Sequence, residues 1–470
     1  MEQYGILRYN YNIIARKGEK MSLIKNLHNI LNEAKNDYEN TVPGSFKTTL
    51  HSLSASGNSM LVKGDNLSWM KYMADIGYGG RINLIYIDPP FFSKSKYDTA
   101  LKIDSDKIKN IPLIKLKAYS DTWEKGAESY FRMLCARLYM MRELLADDGC
   151  IFVHLDWHIS HYVKIILDEI FGEKNFVNEI IWNYKSGGTS KRHFSKKHDA
   201  LLFYSKTNNY YFKPQFEKSY NREFKPYRFK GVKEYKDDIG WYTMVNMKDV
   251  WQIDMVGRTS SERTGYATQK PEALLERIVE SCSKEGDICA DLFGGSGTLA
   301  AVCHRMGRKW ISCDSGGTAF AAAGKRLINA GADFVAMEQS DIVKDRVKCA
   351  VEAEITVISA PLSDKSILNV NLISYDTDIK KIAGDAASEK ALLKVIGKDP
   401  LSLIDYWSVD FDYDGKAHKP HMIMFSGKDK KYECQKIGNS FNKVSVHVAD
   451  VFGNNTFITE EVRSDKSIKE

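Results

Sequence analysis

An α/β fold built on a mostly parallel sheet is what the apolar pattern of this 470-residue chain predicts. Three stretches carry the prediction: Leu84-Ile85-Tyr86-Ile87, Cys150-Ile151-Phe152-Val153-His154-Leu155 and Ile288-Cys289-Ala290-Asp291-Leu292. Each is a short, nearly continuous apolar run bounded by polar or turn residues, as strands buried on both faces are. Helical periodicity fills the intervals, and strands alternating with helices make βαβ units.

Length and composition set the frame. The chain is long enough for two or three domains with a full-sized core. It has no apolar run of about 18 residues and no apolar signal core at its start, so a cytoplasmic protein with no membrane contact is expected. The eight cysteines are scattered, with no C-x-x-C pair and no metal-ligand spacing, which predicts neither disulfides nor a structural metal. Cys150, Cys289, Cys303 and Cys313 lie in apolar runs and read as small core residues. A net charge of +6 permits nucleic-acid binding without arguing for it.

Residues 1–45 form a polar, basic arm. Leu23, Ile24, Leu27, Ile30, Leu31 and Ala34 recur at helical spacing, so one amphipathic helix is expected, packed on the body of the chain or on a partner.

Residues 46–208 open with a strand, Ser59-Met60-Leu61-Val62-Lys63, that runs into a Gly64-Asp65 turn and a helix from Leu67 to Ile76. The Leu84–Ile87 run then ends in Asp88-Pro89-Pro90-Phe91. The prolines lack N–H donors and fix φ, so the strand must stop there. A carboxylate and a ring are thereby delivered at the carboxyl end of a strand, where open α/β sheets bind ligands. Taken alone, the same residues also suit a strand entering a rigid turn. A helix from Tyr130 to Leu145 carries Leu134, Leu138, Met141 and Leu145 on one face, and Asp147-Asp148-Gly149 is expected to end it. The Cys150–Asp156 strand, a helix from Ile159 to Ile170, and strands at Glu179–Tyr184 and Asp199–Ser205 follow.

In residues 209–264 the helical period disappears. Aromatic and basic residues interleave from Tyr210 to Lys230, and Ser186 to Lys197 just upstream is also basic. Such a segment suits phosphates and base faces, although an irregular β insert with solvated lysines would look similar.

Residues 265–345 begin with Thr268-Gln269-Lys270-Pro271 and a helix from Glu272 to Cys282. The Asp291 strand then enters Phe293-Gly294-Gly295-Ser296-Gly297-Thr298, followed by a helix from Leu299 to Met306. Glycines let backbone approach a ligand, and the helix start offers free N–H donors. A phosphate loop would need Gly-Lys-Ser/Thr and a dinucleotide loop Gly-x-Gly-x-x-Gly, and neither is present. Lys309–Asp314 is a further strand ending in an acid, about 20 residues past the Gly loop, the place of a ribose acceptor in doubly wound folds. A helix from Ala319 to Ile328 closes the region. Residues 346–470 show short alternating runs (Ile355–Ser359, Tyr406–Tyr413, His421–Phe425, Val444–Val451) and predict a small β domain of sandwich type serving as scaffold or contact surface.

Two of these motifs resemble a known family. The Asp291–Thr298 stretch is similar to Asp-x-Phe-x-Gly-x-Gly-Thr, the S-adenosylmethionine loop of amino-methylating DNA methyltransferases, and Asp88-Pro89-Pro90-Phe91 resembles the catalytic motif of the same family. The catalytic motif here precedes the cofactor loop, as in the circularly permuted β class. The chain resembles its adenine-specific members, such as the modification subunits of type III restriction systems. Phe152-Val153-His154-Leu155-Asp156 and Thr268-Gln269-Lys270-Pro271 are similar to their accessory motifs, while Tyr266-Ala267 stand where His-Pro is frequent. The resemblance spans residues 55 to 330 and does not extend past 345.

The resemblance implies a circularly permuted Rossmann-like sheet with an inserted target-recognition segment (209–264) and a small C-terminal β domain. The chain would start on the third strand, run through the fourth and fifth, and return for the first (Ile288–Leu292) and second (Lys309–Cys313). It implies methyl transfer from S-adenosylmethionine to the N6 amine of a flipped adenine in double-stranded DNA, within a restriction-modification or other DNA-modification system. Asp88 and Pro89 would hold the amine, with Pro90 fixing the turn and Phe91 stacking on the base. Asp291, Phe293, Gly295, Ser296, Gly297, Thr298 and Asp314 would hold the cofactor, with Thr268 and Lys270 near its carboxylate. Asp65 would take the adenine amine of the cofactor, or cap the helix behind it. Partners consistent with the resemblance are a second copy of the chain or a restriction subunit. N4-cytosine methylation is the alternative, disfavoured because that branch more often has Ser in place of Asp88. RNA methylation and a non-catalytic nucleic-acid-binding module are further alternatives.

Overall fold

Ten strands form one large mixed sheet. Across it stand Phe46–His51, Val335–Gln339, Met60–Lys63, Lys309–Asp314, Ile288–Asp291, Ile82–Ile87, Leu145–Leu155, His198–Ser205, Phe176–Asn183 and Val250–Gln252. The computed structural model describes residues 23–51, 59–93, 96–101, 103, 105–121, 123, 126–185, 191–340, 349–359, 365–425 and 431–462. The first half of the N-terminal arm and residues 186–190 of the basic stretch lie outside this set.

The five strands from Met60–Lys63 to Leu145–Leu155 are parallel and stand in the order third, second, first, fourth, fifth of the permuted scheme. His198–Ser205 is antiparallel to both its neighbours. The chain breaks and re-enters the sheet as the motif order implied, and the fold is a permuted Rossmann-like one.

Strand alternation divides the sheet into two cores. Ile85 and Ile87 face a cluster with Trp69, Leu134, Leu138 and Leu167, while Leu84 and Tyr86 face one with Phe152, Leu275, Ile278 and Trp310. The N-terminal helix, Leu23–Glu39, packs on the helix Ala127–Leu144 of this same chain. Ile30 and Ala34 are buried there, Arg132 bridges Asp37 and Glu33, and the Tyr38 hydroxyl donates to Glu143.

The structure departs from expectation in several places. Asp147-Asp148-Gly149 does not end the helix: the helix stops at Leu144, and these residues lie inside the strand that begins at Leu145. The turn signal instead makes a bulge, because Ile82 pairs with Leu145 and Leu84 with Cys150, leaving 146–149 unpaired. Gly149 is required there, since a Cβ would stand 2.8 Å from the Ile82 carbonyl. Phe46–His51 and Val335–Gln339 extend one edge, and Val250–Gln252, inside the aromatic-basic segment, extends the other. A hairpin, Lys96–Leu101 with Ile114–Ser120, follows the Asp88 motif.

The C-terminal region is not purely β. A three-stranded and a four-stranded sheet share one core with the helix Ala386–Lys398, through Leu368, Val370, Leu392, Trp407 and Val446. Ile114 and Leu116 of the hairpin join that core. Among the described residues no helix is long and apolar enough to cross a membrane.

Candidate active site

The strands carrying Asp88 and Asp291 are neighbours, pairing Leu84 with Cys289 and Ile85 with Ala290. The helix after the Asp291 strand packs on one face of the sheet, and Ala127–Leu144, after the Asp88 strand, packs on the other. Leaving the sheet in opposite directions opens a crevice at the carboxyl ends, the usual ligand site of open α/β sheets. A cavity of about 360 Å³ occupies it. Asp65, Asp88, Pro89, Pro90, Phe91, Thr268, Lys270, Asp291, Phe293, Gly295, Ser296, Thr298 and Asp314 all line it, although they come from both halves of the permuted core. Gly297 is not among the lining residues. It is the left-handed N-cap of the helix Thr298–Arg305, with φ 70°, and a Cβ there would meet Ala323 at 2.9 Å.

The Asp88 carboxylate has two unlike oxygens. Oδ2 is ion-paired with Lys270 Nζ, and both side chains are largely buried. Oδ1 is shielded from solvent and has no hydrogen-bond partner among the described residues. Lys270 thus reaches the Asp88 carboxylate while also lining the cavity. Its ammonium also lies 5.4 Å from the centroid of the Phe91 ring.

The turn after Phe91 is held from outside the motif. Phe92 sits in the left-handed region at φ 57°, which is uncommon for a residue with a Cβ. Buried Asp121 accepts the Phe92 N–H at 3.1 Å, the Ser93 N–H at 2.5 Å, the Ser93 hydroxyl at 2.8 Å and the Trp123 indole N–H at 3.2 Å. Behind Phe91 runs a buried chain: Tyr86 hydroxyl to His154 Nδ1 at 2.8 Å, His154 Nε2 to Asp199 at 3.1 Å, and Tyr184 hydroxyl to Asp199 at 3.1 Å. The Phe91 and His154 rings are 6.0 Å apart.

On the Gly-loop side, burial pushes the Asp291 carboxyl up to about 8, against the pull of the Phe293 N–H and with the Asp88 and Asp314 charges adding to it. Asp314 is also raised by burial, opposed by the Gly316 and Gly295 N–H groups that it accepts at 2.7 and 2.9 Å. Gly295 has φ 48°, and its N–H bond to Asp314 ties the loop to the next strand. Asp65 caps the helix Asn66–Met73, accepting from the Ser68 N–H at 2.8 Å, and its second oxygen pairs with Arg137 at 2.6 Å. The capping reading of Asp65 is thus realised in the structure, at the edge of the cavity.

Sequence reasoning assigned no role to Tyr86, Asp121, Trp123 or Arg137. Arg137 carried a signal: it falls on the apolar face of its helix, three residues after Leu134 and four before Met141. Tyr86 stands two residues before Asp88, on the same face of the strand.

A family model described as DNA methylase matches residues 82–325, more than half of the chain. The type II methyltransferase M.EcaI of Enterobacter cloacae is 28% identical over 317 residues, covering 55% of this chain and 66% of that protein. The type III restriction-modification enzyme EcoP15I Mod subunit of Escherichia coli is 31% identical over 156 residues, covering 31% of this chain and 24% of that protein. The chain thus spans less than two-thirds of either relative's length. A solved M1.HpyAVI–SAM complex aligns with TM-score 0.37 and 18% identity, covering 57% of this chain and 98% of that one. With the family model matched across both the Asp88 and the Asp291 motifs, the chain belongs to the N6/N4 DNA methylase family.

Proposed function

We propose that this protein transfers a methyl group from S-adenosylmethionine to the N6 amine of an adenine flipped out of double-stranded DNA. The observation that carries the reading is Asp88 Oδ1, a buried acceptor with no donor among the described residues, on a carboxylate that lines the cavity. An exocyclic amine supplies the missing donor. Adenine is preferred to cytosine because an acid, not a serine, leads the Pro-Pro-Phe motif.

The cavity suits the cofactor of this family. Its volume of about 360 Å³ falls in the range of small-molecule sites. Asp291, buried and with one backbone donor, is the carboxyl that would ionise to pair with an amino-acid ammonium. Phe293 offers packing, and Asp314 is placed for ribose hydroxyls. When bound, S-adenosylmethionine supplies a methyl group already activated by its sulfonium.

The protein's part is to make a poor nucleophile attack. The amine lone pair is delocalised into the base ring. Asp88 Oδ1 accepting one hydrogen and the Pro89 carbonyl the other turn the nitrogen towards tetrahedral geometry and stabilise its developing positive charge. Holding nitrogen and methyl carbon in line supplies the rest through proximity. With the cofactor bound, the N–C bond would form as the C–S bond breaks, and Asp88 or water would take the surplus amine proton. Phe91 stacking offsets part of the unstacking cost, by roughly 1–3 kcal/mol.

The aromatic-basic segment forms a small sheet of Phe216–Tyr220, Glu234–Lys236 and Trp241–Asn246, with Phe224, Tyr227 and Phe229 exposed beside it. It serves as the DNA-reading surface. A cytoplasmic modification enzyme is the setting expected, and a second copy or a restriction subunit is the partner expected from relatives such as the EcoP15I Mod subunit. The test is transfer of labelled methyl from S-adenosylmethionine to unmethylated DNA by the wild type and by Asp88→Ala. The wild type is expected to label DNA, and the variant to bind DNA and leave it unlabelled. A variant that still labels would contradict the mechanism.

A further inference from the structure

Residues 191–197 read Lys-Arg-His-Phe-Ser-Lys-Lys and lead directly into the strand His198–Ser205. That strand is antiparallel to Leu145–Leu155, pairing Leu155 with Ala200 and Cys150 with Ser205. Its start therefore lies at the same end of the sheet as Asp88 and Asp291. A path of contacts leads there from the motif: Phe91 to His154, and His154 to Asp199. Phe194 is five residues before Asp199, a reach of at most about 17 Å of extended chain.

Phe194 is 98% exposed, the extreme among the exposed large apolar side chains. Scattered apolar residues on a surface need no explanation. This one differs in its mounting. Two residues on, Lys196 places its ammonium 3.1 Å from the centroid of the Trp157 ring, whose other neighbour is His158, stacked at 3.7 Å. Trp157 follows the end of the strand that carries His154. Lys196 thus ties this stretch to Trp157, while the Phe194 ring is left exposed between residues that are basic in sequence.

Resting on the methyltransferase reading above, we propose that Phe194 is the wedge that enters the duplex and fills the space left in the base stack by the extruded nucleotide. The flanking lysines and Arg192 would meet phosphates on either side, and the Lys196–Trp157 contact would fix the depth of entry. Every base has a π face, so such a wedge works regardless of neighbouring sequence.

The test uses duplexes carrying the recognition sequence, mapped from DNA methylated by the wild-type enzyme. In one duplex the target base is normally paired; in the other an abasic site stands opposite it, so that extrusion is cheap. Phe194→Ala is expected to methylate the paired duplex slower by on the order of tenfold and the abasic duplex at close to the wild-type rate. Phe194→Trp is expected to retain activity on both. Wild-type rates for Phe194→Ala on the paired duplex would overturn the proposal. So would an equal loss on both duplexes, which marks a role in folding or phosphate binding. A wild-type enzyme that methylates no DNA would overturn the underlying reading, and this proposal with it.

Discussion

The ammonium of Lys270 is ion-paired with the Asp88 carboxylate and lies 5.4 Å from the centre of the Phe91 ring, so one cation joins the acid and the aromatic of a single motif. The two partners are 182 residues apart in sequence. The permutation separates them along the chain, and the sheet brings them together.

Breaking that pair from one side leaves a buried charge without compensation, at a cost of about 3–5 kcal/mol. Lys270→Met is therefore expected to lower stability in urea unfolding and to reduce methyl transfer. The double variant Lys270→Met with Asp88→Asn removes both charges. It is expected to recover most of the stability and none of the activity. A Lys270→Met enzyme as stable and active as the wild type would show that the pair does nothing.

Asp291 predicts a pH dependence. Its carboxyl is raised from 3.8 to about 8 by burial. Between those values the folded protein keeps a proton that the unfolded chain has released, so this group's contribution to stability falls as pH rises from about 4 and levels off above about 8. Asp291→Asn removes the effect. Its melting temperature is expected to exceed that of the wild type at about pH 8, with the gap shrinking towards about pH 5. Binding has the opposite sign. A cationic ammonium needs the ionised carboxylate, so S-adenosylmethionine affinity by calorimetry should rise from about pH 6 to about 7.5, with proton release, and be flat in Asp291→Asn.

Asp121 holds the turn that aims Phe91. Asp121→Ala leaves the Phe92 and Ser93 amides and the Ser93 hydroxyl without this acceptor. Losing this acceptor at partly buried donors is expected to cost on the order of 1 kcal/mol. The base-side geometry loosens while the cofactor side is untouched. Turnover is expected to fall by on the order of tenfold or more, with cofactor affinity unchanged, because small misplacements of reacting groups are costly. Equal losses in both would mean that the turn supports the whole site.

The core of this fold was legible because its strands are buried on both faces and end in chemistry. Ile82–Ile87, Ile288–Asp291 and Lys309–Asp314 stand out as apolar runs closed by carboxylates, and the order of the two motifs, through their resemblance to a known family, implied the permutation. The outer strands were not legible. Phe46–His51 and Val335–Gln339 alternate with polar residues, and Val250–Gln252 is only three residues long, so each owes its place to the strand beside it. The helix Ala386–Lys398 was hidden by the β-rich sequence around it. At the site, the family resemblance pointed to residues that line the cavity but not to their pairings. Nothing in Thr268-Gln269-Lys270-Pro271 tells that Lys270 reaches Asp88, and nothing near Asp121 tells that it holds a turn 28 residues away.

The most direct measurement is mass analysis of nucleosides from unmethylated DNA after incubation with this protein and S-adenosylmethionine. The account predicts N6-methyladenine, absent when Asp88→Ala replaces the wild type. N4-methylcytosine in its place would contradict the adenine assignment built on Asp88, and DNA left without any modified base would contradict the proposed reaction.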